Sequence, residues 1–396
     1  MLKIQKKDGS IEAFSSQKIV SAIRKSDNRA MYDLSDEQCR RVVDLTLAHL
    51  AEHGGDVAPV ANVHNAVERA LDDVAPDVAK CYRDYRNYKQ DFVHMLDDVY
   101  RKSQAIRYIG DRNNANTDSA LVPTQRSLIY NELSSALYKK FFLNREEREA
   151  MKDGYIYIHD RSARLDCMNC CLFDMANVLT GGFEMGNVWY NEPKTLDVAF
   201  DVISDVAISA AACQYGGFTI PEVDKILAPY AEKSYQKYFE EYTEIAVYNN
   251  LGDHEDVLTA ADEYAVKKVQ RDMEQGFQSW EYRFNTVGSS RGDYPFIAVS
   301  FGLDNSRFGR MASMTCMNVR AGGQGAAGHK KPVLFPKLTF LYDEELHGEG
   351  KPMEDVFECG VDCSTKAMYP DFLSLTGEGY IPSMYKKYGR VVSLMG

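Results

Sequence analysis

No apolar run in this chain approaches the roughly 20 residues that cross a bilayer. The opening, MLKIQKKDGS, lacks the apolar core of a secretory signal. A cytoplasmic location is therefore expected, with no membrane among the partners. Long basic runs are missing as well. The longest is His329-Lys330-Lys331, too short to track a phosphate backbone, and a formal net charge of -12 meets nucleic acid as a repulsive surface. Nucleic acid is thus excluded as a partner class. Internal repeats and low-complexity segments are absent too, which excludes a repeat array.

What is present suits a globular chain. The 396 residues are enough for two or three domains with a large core, and 45% hydrophobic and 26% charged content are ordinary. Nine cysteines are an odd number, so complete internal pairing is impossible. In a reducing compartment they are expected as thiols.

The chain divides near residue 100. Residues 1–100 begin with KIQKKDGSIEAF, two short strands around an Asp8-Gly9 turn. A helix is expected from Ser15 or Ser16, burying Ile19, Val20 and Ile23. Ser35 and Gln38 have the spacing of a capping box, followed by Cys39, Val42, Val43, Leu47 and Leu50 on one helical face and a stop at Gly54-Gly55. Val60, Val63, Val67, Leu71 and Val74 form a third stripe. A fourth, long helix starts at Pro76 and carries Val78, Tyr82, Tyr85, Tyr88 and Phe92. Residues 101–125 are polar and turn-prone and are expected to be a linker. From 126 to 396, an apolar helix (195–213), a further helix (221–238) and a charged amphipathic helix (255–277) mix with strand-like runs at 296–301 and 333–341, an α/β pattern.

The hairpin carries Lys6, Lys7, Gly9 and Glu12, followed by Ser15 and Lys18. Lysines on a tight turn and at a helix N-terminal end are suited to a triphosphate, and Glu12 to an amine or a ribose hydroxyl. A solvated charged hairpin has the same composition. The segment DCMNCCLFDM packs Cys167, Cys170 and Cys171 together. Cys167-x-x-Cys170 is half of a zinc site, but its nearest companion, Cys359-x-x-x-Cys363, lies in a helical pattern and is a poor hook, so no metal site is expected. A thioredoxin-like site wants a helix cap after the pair, and none follows. Small buried hydrophobes suit Cys171 and Cys213. The glycine-rich RAGGQGAAGHKKP, 320–332, is not a P-loop, since no Gly-Lys-Ser/Thr follows. It is either a mobile loop on the substrate side or a plain hairpin connection.

KKDGSIEAFSSQKIVSAI, with the later VHNAVERAL and YRDYRNYK, resembles the ATP-cone, a regulatory nucleotide-binding domain. NCCLFDMANVLTGGFEMGN, then PKTLDVAF to YGGFTI, DKILAPY and SYQKY, and later SSRGDYPFIAVSFG and PVLFPKLTF, resemble the anaerobic, class III, glycyl-radical ribonucleoside-triphosphate reductases. The resemblance implies an α/β fold: a four-helix ATP-cone with a β-hairpin cap, then the first part of a ten-stranded α/β barrel. It implies reduction of ribonucleoside triphosphates to deoxyribonucleoside triphosphates, with ATP activating and dATP inhibiting at the cone. Lys6, Lys7, Gly9, Glu12, Ser15, Lys18 and His64 would hold ATP or dATP. Cys170 would face the ribose and serve in the reduction step, with Asn169 touching substrate. Lys194, Asp205 and Lys237 would hold a dNTP specificity effector at a homodimer interface. The roles of His159 and Cys167 stay open.

The last residues, RVVSLMG, resemble the approach to Met-Gly-Cys, whose cysteine carries the thiyl radical in that family. That cysteine, the structural zinc cysteines and the glycyl-radical motif are expected beyond these residues, as is a radical-SAM activating enzyme as partner. The chain is thus expected to be an N-terminal fragment, inactive alone. The alternative is a non-catalytic nucleotide-sensing module.

Overall fold

The computed structural model describes residues 2–52, 55–108, 121–164, 168–286, 292 and 294–389. The chain forms two compact units, Met1–Arg101 and Lys102–Gly396.

The first unit contains β1 (Lys3–Gln5), β2 (Ile11–Ala13), α1 (Ser16–Ala30), α2 (Asp36–Ala51), β3 (Val57–Pro59), α3 (Val60–Val74) and α4 (Pro76–Tyr108), which runs past its boundary. The sheet order is β2-β1-β3: β1 pairs antiparallel with β2 and parallel with β3. The third strand was not foreseen, because V-A-P is too short to show periodicity. Ser35 caps α2 as the spacing predicts, with its side chain accepting from Gln38 N–H and the Gln38 side chain returning to Ser35 N–H. Ile23, Val42, Ala70, Leu71, Val78 and Ala79 are wholly buried at the centre of the helices. Leu47, expected inside, is exposed. Thr46 is buried in its place and returns its hydroxyl to Val42 C=O. Gly54 lies outside the described residues; α2 ends at Ala51.

The expected linker 101–125 is partly helical. α4 extends to Tyr108, and α5 (Val122–Phe141) begins with Pro123 in its first turn. Residues 109–120 lie outside the described set. The second unit continues with α6 (Arg145–Lys152), β4 (Cys171–Leu172), α7 (Met175–Leu179), β5 (Phe183–Met185), β6 (Val188–Tyr190), α8 (Leu196–Ala212), β7 (Phe218–Ile220), α9 (Val223–Tyr248) and α10 (His254–Phe284). Then come β8 (Ile297–Phe301), α11 (Arg307–Gly322), β9 (Lys337–Tyr342), α12 (Glu344–His347), α13 (Glu354–Ala367), β10 (Asp371–Ser374) and α14 (Tyr380–Tyr388).

Five strands form one parallel sheet in the order β4-β7-β8-β9-β10, each beside the next in sequence. Doubly wound sheets reverse their strand order at a switch point, and this one does not. All residues of β7 and β8 are buried, as expected when both faces of a parallel sheet are covered. Strand β9 starts at Lys337 rather than 333, because Pro332 and Pro336 have no N–H for a ladder. Asn285 instead satisfies both N–H and C=O of Phe335. Asp224, fully buried at the start of α9, accepts from the N–H groups of Gly302, Leu303 and Asp304, each at 2.9 Å. It thereby ties the end of β8 to α9. Among the described residues no helix is long and apolar enough to cross a membrane.

Candidate functional sites

In the first unit the Lys6–Ser10 turn is closed by Gly9, which takes φ +83° in open space, and by Asp8, which accepts from Ser10 N–H and Oγ. Strand β2 then places the Glu12 carboxylate between two cations, Lys6 Nζ at 2.9 Å and Lys18 Nζ at 2.8 Å. Lys18, then Lys6, hold the Glu12 carboxyl below the usual range, and Glu12 raises Lys6. A cavity of about 140 Å³ opens here, lined by Glu12, Ser15, Lys18 and His64, with Ile4, Val63 and Val67 as its apolar wall.

Tyr82 of α4 lines the same cavity and lies 2.7 Å from His64 Nδ1. Burial lowers the His64 pKa, and Arg86, Lys7 and Lys89 add to that. Burial also pushes Tyr82 up to about 12. The phenol therefore keeps its proton, and it shares a hydrogen bond with Nδ1 of an imidazole that burial keeps neutral. Tyr82, Arg86 and Lys89 were not read as site residues. Their signal was helical spacing, i, i+4 and i+7, which places them on one face of α4. Ser15 is the residue before α1, but its side chain makes no cap bond.

In the second unit residues 168–173 run beside 214–219. Tyr215 N–H donates to Met168 C=O, Gly216 N–H to Asn169 C=O at 2.6 Å, and Cys171 N–H to Gly217 C=O at 3.0 Å. Cys170 directly precedes β4 and is exposed, and its sulfur accepts from Gly217 N–H at 3.3 Å. The next thiol, Cys171, accepts from Gln214 Nε2 at 2.7 Å. Gly216 makes this approach possible. A Cβ there would stand 2.5 Å from Asn169 Oδ1 and 2.8 Å from Cys170 Sγ. The Asn169 amide nitrogen donates to Asp160 Oδ2 at 2.9 Å, and His159 Nδ1 contacts the same oxygen. Sequence reasoning missed Gly216 and Asp160, because neither contact is visible before the two segments pair.

The remaining cysteines divide by burial. Cys167 lies outside the described residues. Cys213, expected inside, is exposed at the end of α8, where no further turn covers it. Cys359 and Cys363 lie on α13, and burial pushes Cys363 up to about 11 and Cys316 higher still, so both stay neutral.

Lys194 is exposed just before α8. Asp205 pairs with Arg283 of α10 at 3.6 Å, and Lys237 lies 3.9 Å from Glu241. Asp205 stands about 13 Å along α8 from Leu196, at 1.5 Å of rise per residue. Helix α10 instead presents Lys267, Lys268 and Arg271 along an open groove of about 800 Å³, with Lys268 over the rings of Tyr238 and Tyr264. The glycine-rich segment after α11 closes as a hairpin by the Gln324–Lys331 backbone pair, and Gln324 is anchored on the buried Glu281.

Residues 113–396 match the family model described as anaerobic ribonucleoside-triphosphate reductase, and residues 2–91 match the ATP cone domain. The anaerobic ribonucleoside-triphosphate reductase of Haemophilus influenzae is 30% identical over 379 residues, 93% of this chain and 51% of that protein. That of Escherichia coli K12 is 30% identical over 381 residues, 94% and 51%. The phage T4 enzyme is 33% identical over 267 residues, 66% and 41%. The crystal structure of the anaerobic ribonucleotide reductase from Thermotoga maritima in complex with dATP and CTP matches with a TM-score of 0.44 and 13% identity, covering 73% of this chain and 50% of that one. The chain spans about half the length of the curated relatives it matches. It belongs to the anaerobic ribonucleoside-triphosphate reductase family.

Proposed function

We propose that this chain supplies the nucleotide-sensing cone and the first part of the catalytic barrel of a cytoplasmic anaerobic reductase that converts ribonucleoside triphosphates to deoxyribonucleoside triphosphates. The observation that carries the reading is Cys170, an exposed thiol beside Asn169 at the start of the first strand of the parallel sheet. Net reduction replaces the ribose 2′-hydroxyl by hydrogen, releases water, and consumes two electrons and two protons; a dithiol supplies all four, and formate supplies the two electrons and one proton, leaves as carbon dioxide, and takes the second proton from solvent. Cys170 serves in that reductive step. The thiyl-radical cysteine, the glycyl radical, which supplies the radical, and the structural zinc belong to segments outside these 396 residues. So does the docking of a radical-SAM activating enzyme. The unreversed order of the five strands supports a wall of the ten-stranded barrel.

At the cone, the 140 Å³ cavity suits a base, and Lys6, Lys7 and Lys18, joined by Arg86 and Lys89, suit the phosphates of ATP or dATP. Glu12, now holding Lys6 and Lys18, would exchange those contacts with the ligand. A dNTP effector at a homodimer interface finds lysines at Lys194 and Lys237 and a richer basic groove on α10. Asp205, paired with Arg283, contributes least. A purely sensory module gives Cys170 no task.

The test is anaerobic turnover of CTP by the full protein with its activating enzyme and reductant. A Cys170→Ser variant must lose dCTP formation and still bind nucleotide at the cone. Full turnover by that variant refutes the role of Cys170; no turnover by the unaltered protein refutes the function.

A further inference from the structure

Beside the thiol, the Asp160 carboxylate contacts both Asn169 and His159. Asp160 adopts a left-handed backbone, φ +53°, which Asp tolerates better than most residues. Its C=O accepts from Ala163 N–H, closing a turn that aims the carboxylate at Asn169. The side chain is mostly covered, with 16% exposure. A carboxylate is an acceptor only, so the face of the Asn169 amide turned to it must be the NH₂. The two faces of an asparagine amide are otherwise interchangeable in shape. With nitrogen committed to Asp160, the carbonyl Oδ1 lies over Gly216, converging with Cys170 Sγ on the point that a Cβ would occupy. His159 Nδ1 meets the same Asp160 oxygen and steadies it.

We propose that Asp160 is a positioning residue that fixes the flip of Asn169, so that the site offers a hydrogen-bond acceptor, not a donor, beside the Cys170 thiol. The ligand group this arrangement takes is a hydroxyl donor, here a ribose hydroxyl. The inference rests on the reductase reading of Cys170 and deepens it. Asn169 touches the ligand, and Asp160 acts through Asn169.

The test uses the full protein in a constant background of ATP, and reads protection of Cys170 from iodoacetamide by peptide mass spectrometry. Only a ligand over Cys170 changes this signal, so nucleotide at the cone is not counted. The probes are CTP and 2′,3′-dideoxy-CTP. The unaltered protein should be protected by CTP at concentrations about tenfold lower, one hydrogen bond's worth of discrimination. Asn169→Ala should lose that preference. Asp160→Asn should lose it as well, because an amide partner permits either flip. The double variant should lose no more than either alone, since the two act as one unit. Asp160→Gly, free of strain at this backbone angle, should reproduce the loss and so separates carboxylate from fold. If Asp160→Asn and Asp160→Gly keep the preference while Asn169→Ala loses it, the proposal is overturned and the reductase reading stands. Equal weakening of both nucleotides by Asp160→Gly also overturns it, as a general structural role. Absence of any CTP protection in the unaltered protein removes the reading of Cys170 and the proposal with it.

Discussion

Gly216→Ala is the smallest change that tests the packing of the thiol site. Only one methyl group is added, and Gly216 is not in a positive-φ conformation, so backbone strain is not the issue. The new carbon would lie 2.5 Å from Asn169 Oδ1, 2.8 Å from Asn169 O and 2.8 Å from Cys170 Sγ. All three are below the closest approach of real Cβ atoms, and one is backbone, so the two segments must separate. Overpacking of this kind costs about 1–3 kcal/mol. Losing the 2.6 Å Gly216 N–H to Asn169 C=O bond adds about 1 kcal/mol. For a unit of this size that is a fall in melting temperature of about 4–8 °C, together with faster alkylation of Cys170. Gly322→Ala is the control. It lies at the end of α11 with nothing within 4 Å, so the same methyl should be neutral or stabilise by up to about 1 kcal/mol. Thermal melts and iodoacetamide kinetics on both variants decide it. A Gly216→Ala protein that melts with the parent and reacts at the same rate refutes the close approach.

Other consequences follow from groups buried in each unit. Arg320 and Glu281 form an ion pair of 2.6 Å at 1% and 4% exposure, with Gln324 on the other Glu281 oxygen and Pro336 C=O accepting from Arg320. Glu281→Gln should cost about 3–5 kcal/mol by leaving a buried guanidinium unpaired, and Glu281→Leu with Arg320→Met should cost less than either single change, measured by urea unfolding. At the cone, burial holds the folded-state pKa of His64 below 6.5. The unfolded chain therefore binds more protons below that pH, and stability should fall as pH drops from about 6.5 toward the folded value. His64→Gln should flatten that slope in melts of the chain across pH 5–8. An anionic triphosphate offsets the cations that depress His64, so dATP binding near pH 6 should take up protons, read as different titration heats in buffers of different ionisation enthalpy.

Legibility followed the physics of each segment. Local signals were readable: Ser35-x-x-Gln38 capped α2, Pro76 opened α4, and Asp8-Gly9 made the hairpin turn. Helices α9 and α10 ran further than expected, to Tyr248 and Phe284, because they pack on each other over their length and tertiary contact carries a weak pattern onward. The expected linker 101–125 is helical at both ends: polar residues at 101–108 still form good helix when the preceding turns are helical. At the thiol site Cys170 was legible as a residue, but its neighbours were not. Gly216 lies 46 positions from Cys170 and Asp160 lies 10 away, across a turn that no periodicity announces. At the cone, Tyr82 looked like core because it is core, and it lines the cavity as well.

Nucleotide sensing by this chain is read most plainly by calorimetric titration of dATP and ATP into the protein beside a Lys6→Ala, Lys18→Ala variant. Lys6 and Lys18 share Glu12 at the mouth of the cavity that His64 lines. The parent should bind both nucleotides, and the variant should lose at least tenfold in affinity, since each lysine contributes a charge-assisted contact to phosphate. Undiminished binding by the variant, or none by the folded parent, would contradict this expectation.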